Sequence, residues 1–243
     1  MLDTDTVYYF LFTLSILQSI VGVGILLIGT PVLLFFKFSL VDSLYVLLPL
    51  SMLTSFNVLI MEKLINKSTI NIDKEIKLKF LFITIPSVLI GLILIKNFGD
   101  FINFKYLVSA VILTSIIILN TKKFLNKLNK KINNIFLTLT GIIHGLSNAG
   151  GSILILLFSI KNNKIKSRYY ITYFYFLLAF FQYGLLLLIF DFKYIDLNFK
   201  ILFSLIIFGS ILGNFLVGYI DNKFFKNLIN ILAVLSCLFL ITS

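Results

Sequence analysis

Thirty consecutive residues, Val7 to Phe36, carry no charge. Drawn as one helix at 1.5 Å per residue the run would be about 45 Å long, well beyond a bilayer core of about 30 Å. Its middle holds Gly22, Gly24, Gly29 and Pro31, residues that weaken or interrupt a helix. So long a run must be buried in lipid or protein, and its broken centre says that it does not pass straight through. A second stretch of the same kind, NIFLTLTGIIHGLSNAGGSILILLFSI from Asn134 to Ile160, is interrupted at Gly145, Ser147, Asn148, Gly150 and Gly151. At an offset of 126 residues Gly24 falls on Gly150, Gln18 on His144 and Gly22 on Asn148. The chain reads as two related halves, each opening on a broken apolar segment.

Long uncharged runs recur after each of these segments, and runs of about 18 residues or more are transmembrane candidates. With 59% apolar and 13% charged residues over 243 positions, the chain is not a soluble globule. Spans are expected at about Val41–Met61, Phe80–Ile95 and Phe104–Asn120, then at Tyr169–Phe190, Phe199–Ile220 and Phe224–Thr242. A basic linker, TKKFLNKLNKKINN, divides residues 1–120 from residues 135–243. The repeat persists into the later spans, where Gly91 and Gly213 take matching places. No secretory leader is expected, because Asp3 and Asp5 stand where a basic n-region belongs. The lone Cys237 lies in the last apolar segment, where packing is its expected role. The net charge of +11 fits basic cytoplasmic loops and gives no reason to invoke nucleic acid.

Lysine and arginine bias loops toward the cytoplasm, so their distribution tests the topology. If all eight apolar segments cross, the basic residues divide twelve to nine, which is hardly a bias. If the two broken segments dip in and return, they divide sixteen to five. The loops Glu62–Lys79, Thr121–Asn134, Lys161–Arg168 and Asp221–Lys226 then share the cytoplasmic face. Arms of about 12–15 residues are also the length of re-entrant pieces. Three crossings per half then invert the second half relative to the first. The expected fold is an all-α membrane protein of two inverted repeats, each a broken re-entrant hairpin followed by three transmembrane helices. Such repeats place a binding site near the bilayer midplane.

The segments QSIVGVGILLIGTPVLL (Gln18 to Leu34) and GIIHGLSNAGGSIL (Gly141 to Leu154) resemble the paired glycine-rich segments of the sulfite exporter TauE/SafE family. The endings GNFLVGYIDNKFFKNLINILAVLS and IGLILIKNFGDFINFKYLVSAVI resemble its closing segments. The family's Gly-Gly-Gly cluster is reduced here to Gly22-Val23-Gly24 and Gly150-Gly151. The resemblance covers essentially the whole chain. It implies a permease for a small sulfur-containing anion such as sulfite, thiosulfate or an organosulfonate.

Glycine-flanked tips expose backbone N–H groups, and half-helices starting there point positive dipole ends into the membrane centre. The candidate substrate-binding residues are therefore Gln18, Gly22, Gly24 and Thr30 in the first half, with His144, Ser147, Asn148, Gly150, Gly151 and Ser152 in the second. The bland alternative for the small residues is close helix packing. His144, the only histidine, is either proton-linked or a neutral ring bonded to a neighbouring helix. Asn57 and Gln182 either line the same cavity or join helices. The 27 Phe and 11 Tyr read as lipid-facing surface and interface belt, Tyr169–Tyr175 included. No Asp or Glu is expected deep in a span. No cofactor, metal or catalytic residue is expected, and a membrane-embedded enzyme would need convergent acid and base groups. A subunit without transport activity of its own is the other alternative. The expected partners are a small anion and the lipid bilayer, with a homodimer left open. The expected location is the cell membrane, a bacterial inner membrane, with several passes.

Overall fold

The computed structural model describes residues 4–64, 70–99, 104–120, 130–159, 162–191 and 197–242. Residues 121–129 of the expected linker lie outside the described residues. Among the described residues all regular structure is helical. The first half supplies α1 (Thr4–Val21), α2 (Ile25–Phe35), α3 (Leu40–Leu64), α4 (Lys74–Phe98) and α5 (Phe104–Asn120). The second supplies α6 (Lys130–Ser147), α7 (Gly150–Ser159), α8 (Lys164–Ile189), α9 (Phe199–Leu216) and α10 (Asn222–Thr242). A 3-10 turn, Val217–Tyr219, closes α9. Helix α6 opens at Lys130, so the end of the expected linker is already helical. Its start and that of α1 at Thr4 stand 126 residues apart.

The spans form where apolar runs are long and capped. Asp73 accepts the Glu75 N–H at the start of α4, and Asn163 accepts the Lys166 N–H at the start of α8. Such caps satisfy N–H groups that the first turn leaves free. Within α4 the turn Phe80–Thr84 is a π-helix immediately before Pro86. A proline lacks the N–H that would bond the carbonyl four residues back, and the widened turn accommodates that loss. Among the described residues five helices are long and apolar enough to cross a membrane: α3, α4, α8, α9 and α10. Helix α5 has 17 residues, at the lower edge of the length that a bilayer core requires. Large apolar side chains such as Phe82, Leu188, Phe208 and Phe215 are exposed on these helices, as a lipid-facing surface demands.

The hairpin arms are less even than their sequence suggests. The first arms, α1 and α6, each run for 18 residues, whereas α2 has 11 and α7 has 10. The reason lies in where the breaks fall: the chain turns only at residues 22–24 and 148–149, whereas Gly29 and Pro31, expected to interrupt the first segment, lie within α2, and Gly145 and Ser147, expected to interrupt the second, lie within α6. At 1.5 Å per residue the short arms are about 15–17 Å long, too short to cross the core. Most of α2 and α7 is buried in protein, from Ile25 to Leu33 and from Gly150 to Leu156, while Phe35 at the far end of α2 is exposed. Helices α3, α5, α8 and α10 surround this pair, with α1 and α6 alongside.

The two halves grip each other through reciprocal close crossings. Helix α1 packs on α9, and α6 packs on α4. A Cβ at Gly213 would lie 2.5 Å from the Ile16 carbonyl oxygen and 2.6 Å from Ser19 Cβ. A Cβ at Gly91 would lie 2.4 Å from the Ile142 carbonyl oxygen and 2.9 Å from Gly145 Cα. Ile16 and Ile142 stand 126 apart, as do Ser19 and Gly145. Gly91 and Gly213 thus make the same backbone-to-backbone contact in the two crossings.

Candidate functional site

Each hairpin turns through a left-handed residue. Gly22 has φ +98° and Asn148 has φ +61°, a region open to glycine and tolerated best by asparagine and aspartate among other residues. The Gly22 N–H donates to the Gln18 carbonyl at 2.7 Å, and the Asn148 N–H donates to the His144 carbonyl at 2.8 Å. Each short arm then crosses its long arm at a glycine. A Cβ at Gly24 would meet Gln18 N at 2.9 Å and the Leu14 carbonyl oxygen at 3.1 Å. At Gly150 it would meet His144 N at 2.9 Å and the Thr140 carbonyl oxygen at 2.2 Å. The close partners are again 126 residues apart.

The two tips come together. Asn148 Nδ2 donates to Thr30 Oγ1 on α2 at 2.8 Å. A Cβ at Gly151 would lie 3.4 Å from Val23 Cγ1 in the first tip and 2.7 Å from the Tyr175 ring. Helix α8 lines this junction. A Cβ at Gly22 would meet Ile171 Cγ2 at 2.7 Å and Thr172 Oγ1 at 3.0 Å. The Tyr175 and His144 rings meet edge to face at 5.9 Å between centroids. Gln182 Nε2 donates to the His144 carbonyl at 3.2 Å.

Around the junction, five fully buried side chains carry polar atoms that form no hydrogen bond: both ring nitrogens of His144, Asn148 Oδ1, Tyr175 OH, Gln182 Oε1 and Thr172 Oγ1. Buried polar atoms normally find partners, and these five side chains gather where the two tips meet. The Tyr175 hydroxyl faces the backbone N–H groups of Gly24, Leu26 and Leu27 at the first turn of α2. That is the positive end of a helix dipole.

A family model described as Sulfite exporter TauE/SafE matches residues 8–240. The chain belongs to that family. It is accordingly a multi-pass membrane protein of a family of transporters of sulfite-like anions, and not an enzyme. No curated protein and no solved structure matches the chain.

Within this family member, the ten sequence-derived candidates differ in their surroundings. Gln18 has its amide fully used. Its Nε2 reaches the Ser51 carbonyl at 2.9 Å and the Ser51 and Ser55 hydroxyls at 3.0 Å each, while Oε1 accepts the Ile25 N–H at 3.0 Å. It pins α1, α2 and α3 together. The counterparts of Ser51 and Ser55 in the second half are Leu177 and Phe181, whose side chains offer no hydrogen bond, and the His144 ring makes none. The hydroxyls of Ser147 and Ser152 donate back to their own hairpin, at the Ile143 carbonyl (3.0 Å) and the Ala149 carbonyl (2.6 Å). Gly22, Gly24, Gly150 and Gly151 allow the close approaches described above, and Thr30 and Asn148 bridge the tips. Asn57 joins α3 to α9 through the Ser210 hydroxyl at 3.1 Å.

Three residues lie elsewhere than the sequence suggests. Tyr175 was expected in an interface belt, but it is fully buried at the junction of the tips. Belt position depends on depth along the helix, and Tyr175 is nearly halfway along α8. Glu62 and Arg168 were expected in solvated loops. Instead α3 continues to Leu64 and α8 begins at Lys164, so both charges are buried, side chains 5% and 1% exposed, and paired. The sequence does hold a signal for this arrangement: Arg168, Thr172, Tyr175 and Gln182 recur at helical spacing, forming one buried polar stripe along α8.

Proposed function

We propose that the chain is a permease for a small sulfur oxyanion or organosulfonate, working by alternating access around a mid-membrane site where the two hairpin tips meet. The carrying observation is the junction itself, with Asn148 bonded to Thr30 and unpartnered polar atoms on His144, Asn148, Tyr175 and Gln182 around it. Family membership supplies the substrate class. The groups facing the junction are neutral dipoles: helix N–H ends, amides, hydroxyls and an imidazole. Such a lining suits a desolvated anion that must also leave, since a fixed positive charge would hold it more tightly.

Two inverted repeats, residues 1–120 and 135–243 joined by a basic cytoplasmic linker, account for the reciprocal crossings and for the tips turning at positions 126 apart. Inversion lets the two tips approach one site from opposite faces. The location in this reading is the cell membrane, and a homodimer is compatible with it.

The direct test is uptake of radiolabelled sulfite into liposomes containing only this protein. Saturable flux above that of empty liposomes is the expected result. Its absence for sulfite, thiosulfate and small sulfonates alike would sink the reading in favour of a non-transporting membrane subunit. A second measurement addresses His144. His144→Gln keeps polar reach and removes titration, so flux should survive with its pH dependence between about pH 5 and 8 unchanged, the interval in which an ordinary histidine changes charge. Gln18 at the equivalent place in the first half already lacks a titratable group. Loss of uptake driven by a pH gradient, with anion exchange intact, would instead make His144 the proton carrier.

A further inference from the structure

The buried face of α8 continues past the tips toward the basic face of the protein. Arg168 lies seven residues before Tyr175, about 10 Å along the helix axis, with Thr172 on the same face between them. Its guanidinium is 1% exposed and joins four helices. Nε donates to the Ser19 carbonyl in the last turn of α1 at 2.7 Å. Nη1 donates to Glu62 Oε1 on α3, and Nη2 donates to Asn214 Oδ1 on α9. The Asn214 amide nitrogen donates to the Met61 sulfur, a weak acceptor.

Two features set this cluster apart from an ion pair that merely ties helices. Glu62 engages the guanidinium through one oxygen, and its Oε2 is buried without a hydrogen bond. The hydroxyl of Ser19, on α1 beside the guanidinium, and that of Thr172, one turn along α8, also make none. A buried pair offsets its desolvation only when the remaining lone pairs and donors are satisfied. Here the carboxylate oxygen Oε2 and the hydroxyl of Ser19, whose carbonyl holds the arginine, are left over, and the Thr172 hydroxyl is left over one turn along α8 toward the tips. An arginine guanidinium can donate two parallel N–H bonds to a small oxyanion as to a carboxylate, and Glu62 here takes only one of them.

We propose that Arg168 is a second oxyanion-binding site on the path between the hairpin tips and the basic face, and that the Glu62 carboxylate holds it until the transported anion takes its place. The inference rests on the permease reading and extends it. On this view the anion moves from the neutral junction at Tyr175 and Asn148 to the guanidinium, with the Thr172 and Ser19 hydroxyls as further donors. Glu62, displaced, turns toward the wet end of α3, two residues before Leu64. Return of the carboxylate releases the anion, so that a strong binding residue does not become a trap. The attachment of Arg168 to α1, α3 and α9 also makes the exchange felt by elements of both halves.

The test uses sulfite flux and sulfite-induced thermal stabilisation of the purified protein, with two variants. Glu62→Gln keeps an acceptor but removes the competing charge, so the half-saturating sulfite concentration should fall about tenfold, the difference between a charged and a neutral acceptor. The double variant Glu62→Gln with Arg168→Gln leaves no uncompensated buried charge and should insert and fold. Its flux should fall at least about tenfold, and the added stabilisation by sulfite seen with Glu62→Gln should disappear. A purely structural pair predicts the opposite: unchanged half-saturation in Glu62→Gln and near-normal flux in the double variant. Either result overturns the Arg168 site while wild-type flux leaves the permease reading standing. No flux with the wild type would overturn both.

Discussion

Gly150→Ala is expected to reduce sulfite flux to background while the chain still inserts. The added methyl group would lie 2.2 Å from the Thr140 carbonyl oxygen and 2.6 Å from His144 Cβ. The carbonyl belongs to the backbone of α6 and cannot rotate aside, so α7 itself must shift. Overpacking of this kind costs about 1–3 kcal/mol. Its larger effect is on function, because a displaced α7 draws Asn148 away from Thr30 and opens the junction. Gly24→Ala should act in the same sense but less strongly, since its nearest contacts are 2.9 and 3.1 Å. Gly184→Ala is the control, with nothing within 4 Å of its new Cβ. Flux in liposomes and the melting temperature in detergent check all three. Wild-type flux in Gly150→Ala would mean that the crossing of α6 and α7 has slack that its geometry denies.

The largest loss of stability is expected from Arg168→Ala. The substitution leaves the Glu62 carboxylate buried without its cation and removes a donor to the C-terminal end of α1. Removing one partner of a buried ion pair typically costs about 3–5 kcal/mol. A marginally stable protein loses a large part of its stability that way. Melting in detergent should therefore show a substantial drop for Arg168→Ala, and adding Glu62→Gln should recover much of it. The recovery matters more than the drop, because it separates the stranded charge from lost packing of the long side chain. An Arg168→Ala protein that melts with the wild type would mean that Glu62 is hydrated in the folded state.

Much of this fold is legible in the chain because lipid simplifies the problem. Without water, backbone groups must pair internally, so apolar length alone places α3, α4, α8, α9 and α10. The glycines also read directly. The 126-residue offset that puts Gly24 on Gly150 and Gly22 on Asn148 reappears as matching backbone contacts and matching left-handed turns. Small residues at a fixed offset record where backbones touch, and that constraint is local to each position.

Polar side chains obey a different rule, since their state depends on what stands opposite. Gln18 and His144 occupy equivalent places, yet Gln18 is fully bonded and the His144 ring is not. Ser51 and Ser55 face the one, whereas their counterparts in the other half are Leu177 and Phe181. Tyr175 reads as interface belt from sequence, because the chain by itself does not show that α8 lines the junction of the tips. Glu62 and Arg168 stand 106 residues apart, each beside other charges that suggest a loop. The sequence by itself determined the membrane helices, the two broken segments and the glycines at which backbones touch, because burial in lipid and backbone contact are properties of single positions. Only the tertiary structure decided which polar groups are satisfied and which are left free at the junction, because a hydrogen bond or an ion pair needs two partners, and the fold alone brings them together.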